Sequence, residues 1–93
     1  MVSGIQEIIG ENSIYVQNPF AEEISVSASV NLKEMAIQLI ELSGKVIQQW
    51  ERMSLNMGSN TQLLLTGNIS SGIYFLHFQN GSLSYTHKLI HIQ

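Results

Sequence analysis

Residues 32–42 read Leu32-Lys33-Glu34-Met35-Ala36-Ile37-Gln38-Leu39-Ile40-Glu41-Leu42. Leu32, Met35, Ala36, Leu39 and Ile40 fall at i, i+3, i+4, i+7 and i+8, the apolar stripe of an amphipathic helix. Ile37 and Leu39 also alternate as they would in a strand, and Ser43-Gly44 interrupts the run before Val46-Ile47. By pattern alone helix and strand are evenly matched for residues 33–42. The flanking sequence bears on the choice between a mixed fold and an all-β fold without settling this stretch.

The flanks are strand-like on both sides. Upstream, Ile24, Val26 and Ala28 alternate with Ser25, Ser27 and Ser29, which predicts a strand over residues 23–29 with one wet face. A shorter β-rich stretch, Ile14-Tyr15-Val16, precedes it. Between the two lies Gln17-Asn18-Pro19-Phe20, with the only proline of the chain. Proline gives no N–H to a ladder and holds the preceding residue extended, so Asn18-Pro19 reads as a corner anchored by Phe20.

Downstream, residues 63–66 suggest another strand, between the polar Gly58-Ser59-Asn60 and Gly67-Asn68. Asn80-Gly81 has the composition of the two central residues of a type I′ turn, joining strands over residues 73–79 and 82–92. That register sets His77 against Ser84 and His87 against Tyr74. Residues 1–12 read as a linker with a short strand at residues 6–9, bracketed by Gly4 and Gly10. Residues 13–93 then form a single domain. Several short strands with turn residues between them point to an antiparallel β-sandwich of the immunoglobulin-like type, with about seven short strands. Tyr74, Leu76 and Phe78 are expected to share its core with Ile24, Val26, Ile37 and Leu39.

Composition narrows the function classes. The 93 residues are 44% hydrophobic and 12% charged, too apolar and too weakly charged for a disordered tail. Lys33, Lys45, Arg52 and Lys88 stand against seven glutamates, for a net charge of −3. Four scattered cations do not make a phosphate-binding patch, so no nucleic-acid partner is expected. Without cysteine there is neither a disulfide nor a thiolate metal site. No apolar run reaches the roughly 20 residues of a spanning helix. The N-terminal residues lack the basic and apolar regions of a secretory signal, which for an exported protein would belong to a preceding segment.

No residue set suggests catalysis. No nucleophile elbow of the Gly-x-Ser-x-Gly kind occurs, and Glu22 and Glu23, adjacent in a strand, point to opposite faces. His87 and His91, four apart on a strand, lie about 13 Å from each other, too far to share one ion. No catalytic residue, metal ligand or cofactor site is therefore assigned. Trp50, with Gln48, Gln49 and Arg52 nearby, could begin a sugar-binding platform, but a lone Trp in a small sandwich suits core packing better. Asn68-Ile69-Ser70 and Asn80-Gly81-Ser82 match the N-glycosylation triplet, a pattern short enough to arise by chance.

Four pieces remain, in fixed order: Asn18-Pro19-Phe20, Leu42-Ser43-Gly44-Lys45, the run Ser71-Gly72-Ile73-Tyr74-Phe75-Leu76, and Lys88-Leu89-Ile90 close to the end of the chain. In that order, over residues 14–93, the sequence resembles the type A C-terminal sorting domain (Por secretion family) of the Bacteroidetes type IX secretion system. It departs from the family pattern at Gln17, where a proline is usual, at Glu41, where an aspartate is usual, and at His91, where a second basic residue is common.

The resemblance implies an immunoglobulin-like β-sandwich and tips residues 33–42 to strand, with strands expected over residues 36–42 and 46–49. It implies a non-enzymatic signal that takes a larger cargo protein, covalently joined to it, through the outer membrane by way of the periplasm. The implied partners are the type IX translocon and a cell-surface sortase, and the implied destination is the cell surface or the medium. By the same resemblance the sorting-motif residues are Asn18, Pro19, Phe20, Gly44, Lys45, Gly72, Tyr74, Lys88, Leu89 and Ile90, with cleavage expected upstream of Ile14. The alternative is an adhesion or carbohydrate-binding module of the same fold, which unlike a sorting signal could sit anywhere in its parent protein.

Overall fold

The computed structural model describes residues 5–9, 14–81 and 83–92. Among the described residues there are eight strands: β1 (Ile5–Ile9), β2 (Ile14–Asn18), β3 (Glu23–Ala28), β4 (Leu32–Glu41), β5 (Val46–Leu55), β6 (Asn60–Leu64), β7 (Gly72–Asn80) and β8 (Leu83–His91). They form two antiparallel four-stranded sheets, ordered β1-β2-β3-β6 and β5-β4-β7-β8. This is the all-β sandwich expected, and no helix occurs among the described residues. The expected linker residues 1–4 and 10–12, with Gly4, Gly10 and the segment just upstream of Ile14, lie outside the described residues. The short strand expected at residues 6–9 is β1, extended by Ile5.

Alternating side chains from both inner faces build one core. Ile14 and Val16 of β2, Ile24 and Val26 of β3 and Leu63 of β6 meet Ile37 and Leu39 of β4, Tyr74, Leu76 and Phe78 of β7 and Leu89 of β8. All seven core residues named from sequence are buried. Trp50 is half-buried and packs against this core.

The ambiguous stretch is strand from Leu32 onward, and its helical spacing has a local cause. Leu32 pairs with Leu55 and Met35 with Met53, so β4 spends one residue more than β5 on this step. Such a bulge lets Leu32 and Met35 both turn inward while Lys33 and Glu34 stay exposed. Glu34 takes a φ of 53° there, and Arg52, in the answering irregularity of β5, takes 55°. An i, i+3 pair of buried residues thus arises from a kinked strand.

Two other expectations shift. The strand expected over residues 63–66 runs instead from Asn60 to Leu64. Beyond it, the Gln48 carboxamide of β5 donates to the Leu64 carbonyl at 2.8 Å and accepts from the Thr66 N–H at 3.0 Å, which holds the chain to the opposite sheet in place of a ladder. The final hairpin is shifted by two: Asn80 pairs with Leu83, His77 with Thr86 and Leu76 with His87. Asn80 is therefore the last residue of β7, not the first of the turn, and Gly81 with φ of 53° follows it. The Asn80 amide donates to the Lys33 carbonyl, a use of the side chain that ties it to the bulge.

Candidate functional site

The corner at residues 18–20 closes the free edge of the last strand. β8 sits at the margin of its sheet, and such an edge leaves N–H and C=O groups unpaired. At the end of β8 the corner supplies the partners. Asn18 Oδ1 accepts the Ile90 N–H at 2.9 Å, the Phe20 N–H donates to the Ile90 carbonyl at 2.9 Å, and the Ile92 N–H donates to the Phe20 carbonyl at 2.9 Å. Phe20 and His91 form the parallel bridge that results. The Asn18–Pro19 peptide is cis. Asn18 is only 8% exposed, and it spends its side-chain acceptor on this bond.

Behind the corner three rings meet. Phe20 lies 4.9 Å from the His91 ring and 6.4 Å from Tyr74, and Tyr74 meets His91 edge-on at 6.2 Å. The Tyr74 hydroxyl donates to the Ser70 carbonyl at 2.8 Å, four residues upstream, which fixes the corner leading into β7 as buried tyrosines do in other sandwiches. His91 is 6% exposed, with Nδ1 at 3.1 Å from the Ser70 carbonyl and Nε2 at 3.0 Å from the Ala21 carbonyl. Carbonyls only accept, so the ring serves these two from whichever nitrogens bear hydrogen. The imidazole joins the turn before β7 to the turn after β2. Sequence reading treated His91 as a departure from a basic position and missed this role. The signal was present, since His91, two residues on from the inward Leu89, shares its face of the strand.

Register brings the remaining named residues to the same end. Glu41, Tyr74 and Leu89 form one row across β4, β7 and β8, and Gly72 faces His91. Gly72 enters β7 at a φ of 149°, where a side chain would be strained although nothing occupies the space a Cβ would take. From that row the chain leaves β4 into the Leu42–Lys45 turn. The Gly44 N–H donates to the Glu41 carbonyl at 2.8 Å, the Glu41 N–H to the Lys45 carbonyl at 2.9 Å, and Gly44 has a φ of 99°. Lys45 is exposed beside it. Lys88 and Ile90 are exposed on the outer face, with Leu89 buried between them.

Asn18, Pro19, Phe20, Gly44, Lys45, Gly72, Tyr74, Lys88, Leu89 and Ile90, scattered over most of the sequence, therefore gather at one end of the sandwich. They do so in two groups. Asn18, Phe20, Tyr74, Leu89 and Ile90 touch or pair within the clamp on β8, whereas Gly44 and Lys45 sit across β4 from it.

A shallow cleft opens on the other side of the corner, lined in part by Gln17, Pro19, Glu22, Asn68 and His91. It presents carboxylate and amide groups without an exposed aromatic ring for a sugar to stack on. His77 bonds Thr86 Oγ1 at 2.7 Å, away from this end of the sheet, and has no part in the clamp.

No match was found among curated proteins or among solved structures. The family model for the secretion system C-terminal sorting domain matches residues 14–93, a span that begins with β2 and takes in both halves of the clamp. The chain belongs to the family of secretion system C-terminal sorting domains.

Proposed function

We propose that this domain takes a larger cargo protein, to which it is covalently joined, through the outer membrane of a Bacteroidetes cell by the type IX secretion system. The supporting observation is the convergence of the motif residues on one folded end. A signal made of four short pieces becomes a single surface only when the sheet is complete, so the folded domain is what the translocon recognises. The cargo crosses the periplasm first. A cell-surface sortase then cleaves in the segment before Ile14, and the cargo is released or attached to anionic lipopolysaccharide.

The domain itself performs no chemistry in this scheme; its family is one of sorting signals. No helix among the described residues is long and apolar enough to cross a membrane. The domain is passenger to a channel supplied by others. Within it, Asn18, Pro19, Phe20, Gly72, Tyr74 and Leu89 build the end that is read, while Lys45, Lys88 and Ile90 face the reader and Gly44 shapes the turn that presents Lys45.

The test is a fusion of the full chain to the C-terminus of a reporter with a signal peptide, expressed in a type IX-competent bacterium. Display or release of the reporter is the expected result, and it should be lost when residues 88–93 are deleted. Periplasmic retention of a folded, intact fusion would overturn the proposal.

A further inference from the structure

The two outer faces of the sandwich differ. Across β2, β3 and β6, Tyr15 faces Ser27 and Ser25 faces Gln62, so on these three strands the outer face is polar or amphipathic apart from Leu64. On the other sheet the outward rows divide by position. Far from the clamp, Gln49, Gln38, His77 and Thr86 form one polar row, and Ala36, Gln79 and Ser84 continue it.

At the clamp end the rows are apolar. Ile73 pairs with Ile90, and Val46, Ile40, Phe75 and Lys88 lie side by side across all four strands. Ile73, Ile90 and Val46 are 42%, 44% and 42% exposed. Residues paired across strands share a face, so these side chains form one continuous strip. Exposed Leu42 follows the end of β4 at its border. Two of the four cations of the chain, Lys45 next to Val46 and Lys88 beside Phe75, stand at its opposite margins.

We propose that this strip is the surface by which the domain docks on the secretion apparatus, and that its partner is a protein presenting an apolar patch with carboxylates at the margins. The inference rests on the sorting function proposed above and locates its contact. Apolar contact supplies the attraction, and the two lysines set orientation and exclude basic partners. A membrane surface is the poorer occupant: polybasic attraction to lipid takes a cluster of about four to eight cations, and here two lysines stand on a chain of net charge −3.

The test uses the full chain as a reporter fusion in a type IX-competent bacterium, with purified chains measured in parallel by thermal melting and sedimentation. Ile73→Glu with Ile90→Glu should cut export about tenfold or more, the effect of about 1.4 kcal/mol of lost contact. The milder pair Ile73→Thr and Ile90→Thr keeps β-branching and guards against misfolding; it should lower export with an unchanged melting midpoint. Lys88→Glu should lower export likewise, and Gln49→Glu with Thr86→Glu, on the polar rows, should leave it at the wild-type level.

Wild-type export of well-folded strip variants would overturn the docking surface and leave the sorting function standing. If the unmodified fusion is not exported, the sorting function fails and the docking surface falls with it. Two further results would also overturn the stated partner. One is a dimer of the unmodified chain that the Ile73 and Ile90 variants dissolve, which would assign the strip to a second copy. The other is strip-dependent binding to phosphatidylglycerol vesicles, which would assign it to lipid.

Discussion

Asn18 Oδ1 accepts the Ile90 N–H at 2.9 Å across 72 positions of sequence. A side chain from the corner after β2 thereby does for the margin of the opposite sheet what a further strand would do. The bond belongs with the two backbone bonds of Phe20, and together they let a strand with one neighbour end without loose backbone groups.

Asn18→Ala removes that acceptor and leaves the Ile90 N–H unserved in a half-buried place. The expected cost is about 1–3 kcal/mol, read from urea unfolding with the m-value unchanged. A change below about 0.3 kcal/mol would mean that water replaces the carboxamide without loss.

His91→Phe separates packing from hydrogen bonding, because an aromatic ring survives and both ring nitrogens go. The Ala21 carbonyl then loses its ring partner while the Ser70 carbonyl keeps the Tyr74 hydroxyl, for an expected loss of about 1–3 kcal/mol. Tyr74→Phe, which removes one donor from Ser70, should cost about 0.5–1.5 kcal/mol. Since the Tyr74 hydroxyl and the His91 ring both contact the Ser70 carbonyl, the double variant should depart from additivity.

Phe78→Ala empties a fully buried site between the sheets. An expected loss of about 3–5 kcal/mol takes much of the stability of a domain this small. An unchanged melting midpoint would contradict the inward placement of β7.

Glu34→Gly should raise stability. At a φ of 53° a residue with a Cβ pays about 1–2 kcal/mol that glycine does not, and glycine returns about 0.5–1 kcal/mol of that in chain entropy. The net gain of about 0.5–1 kcal/mol should appear as a higher melting midpoint. Gly72→Ala, the converse change at a φ of 149°, should lose about 1–3 kcal/mol.

Where side chains strictly alternate, the fold was legible. Ile24 to Ala28 and Tyr74 to Phe78 follow the period of a strand, and their inward faces were assigned correctly from it. Residues 33–42 were not, because a bulge at Lys33 and Glu34 imposes helical spacing on a strand, and only the family resemblance resolved it. The hairpin register failed for a related reason. Asn80 matches a turn by composition, but its amide is engaged by the Lys33 carbonyl, a partner that no local pattern reveals.

Of the candidate site, the pieces were visible and their junction was not. Asn18 and Ile90 are each unremarkable in sequence, and the bond between them exists only once both sheets have formed. His91 was hidden by analogy, since a family comparison treats its position as a site for charge, whereas in this chain the ring is turned inward onto two carbonyls.

The clamp also sets an order in time. Residues 18–20 leave the ribosome before residues 90–92, whose groups they bind, so the corner stays open until those arrive. A chain cut short before Ile90 cannot assemble this end, however well its other strands pair. If the sorting function proposed above holds, a receptor that reads the assembled end also rejects chains broken before Ile90, without any separate proofreading step.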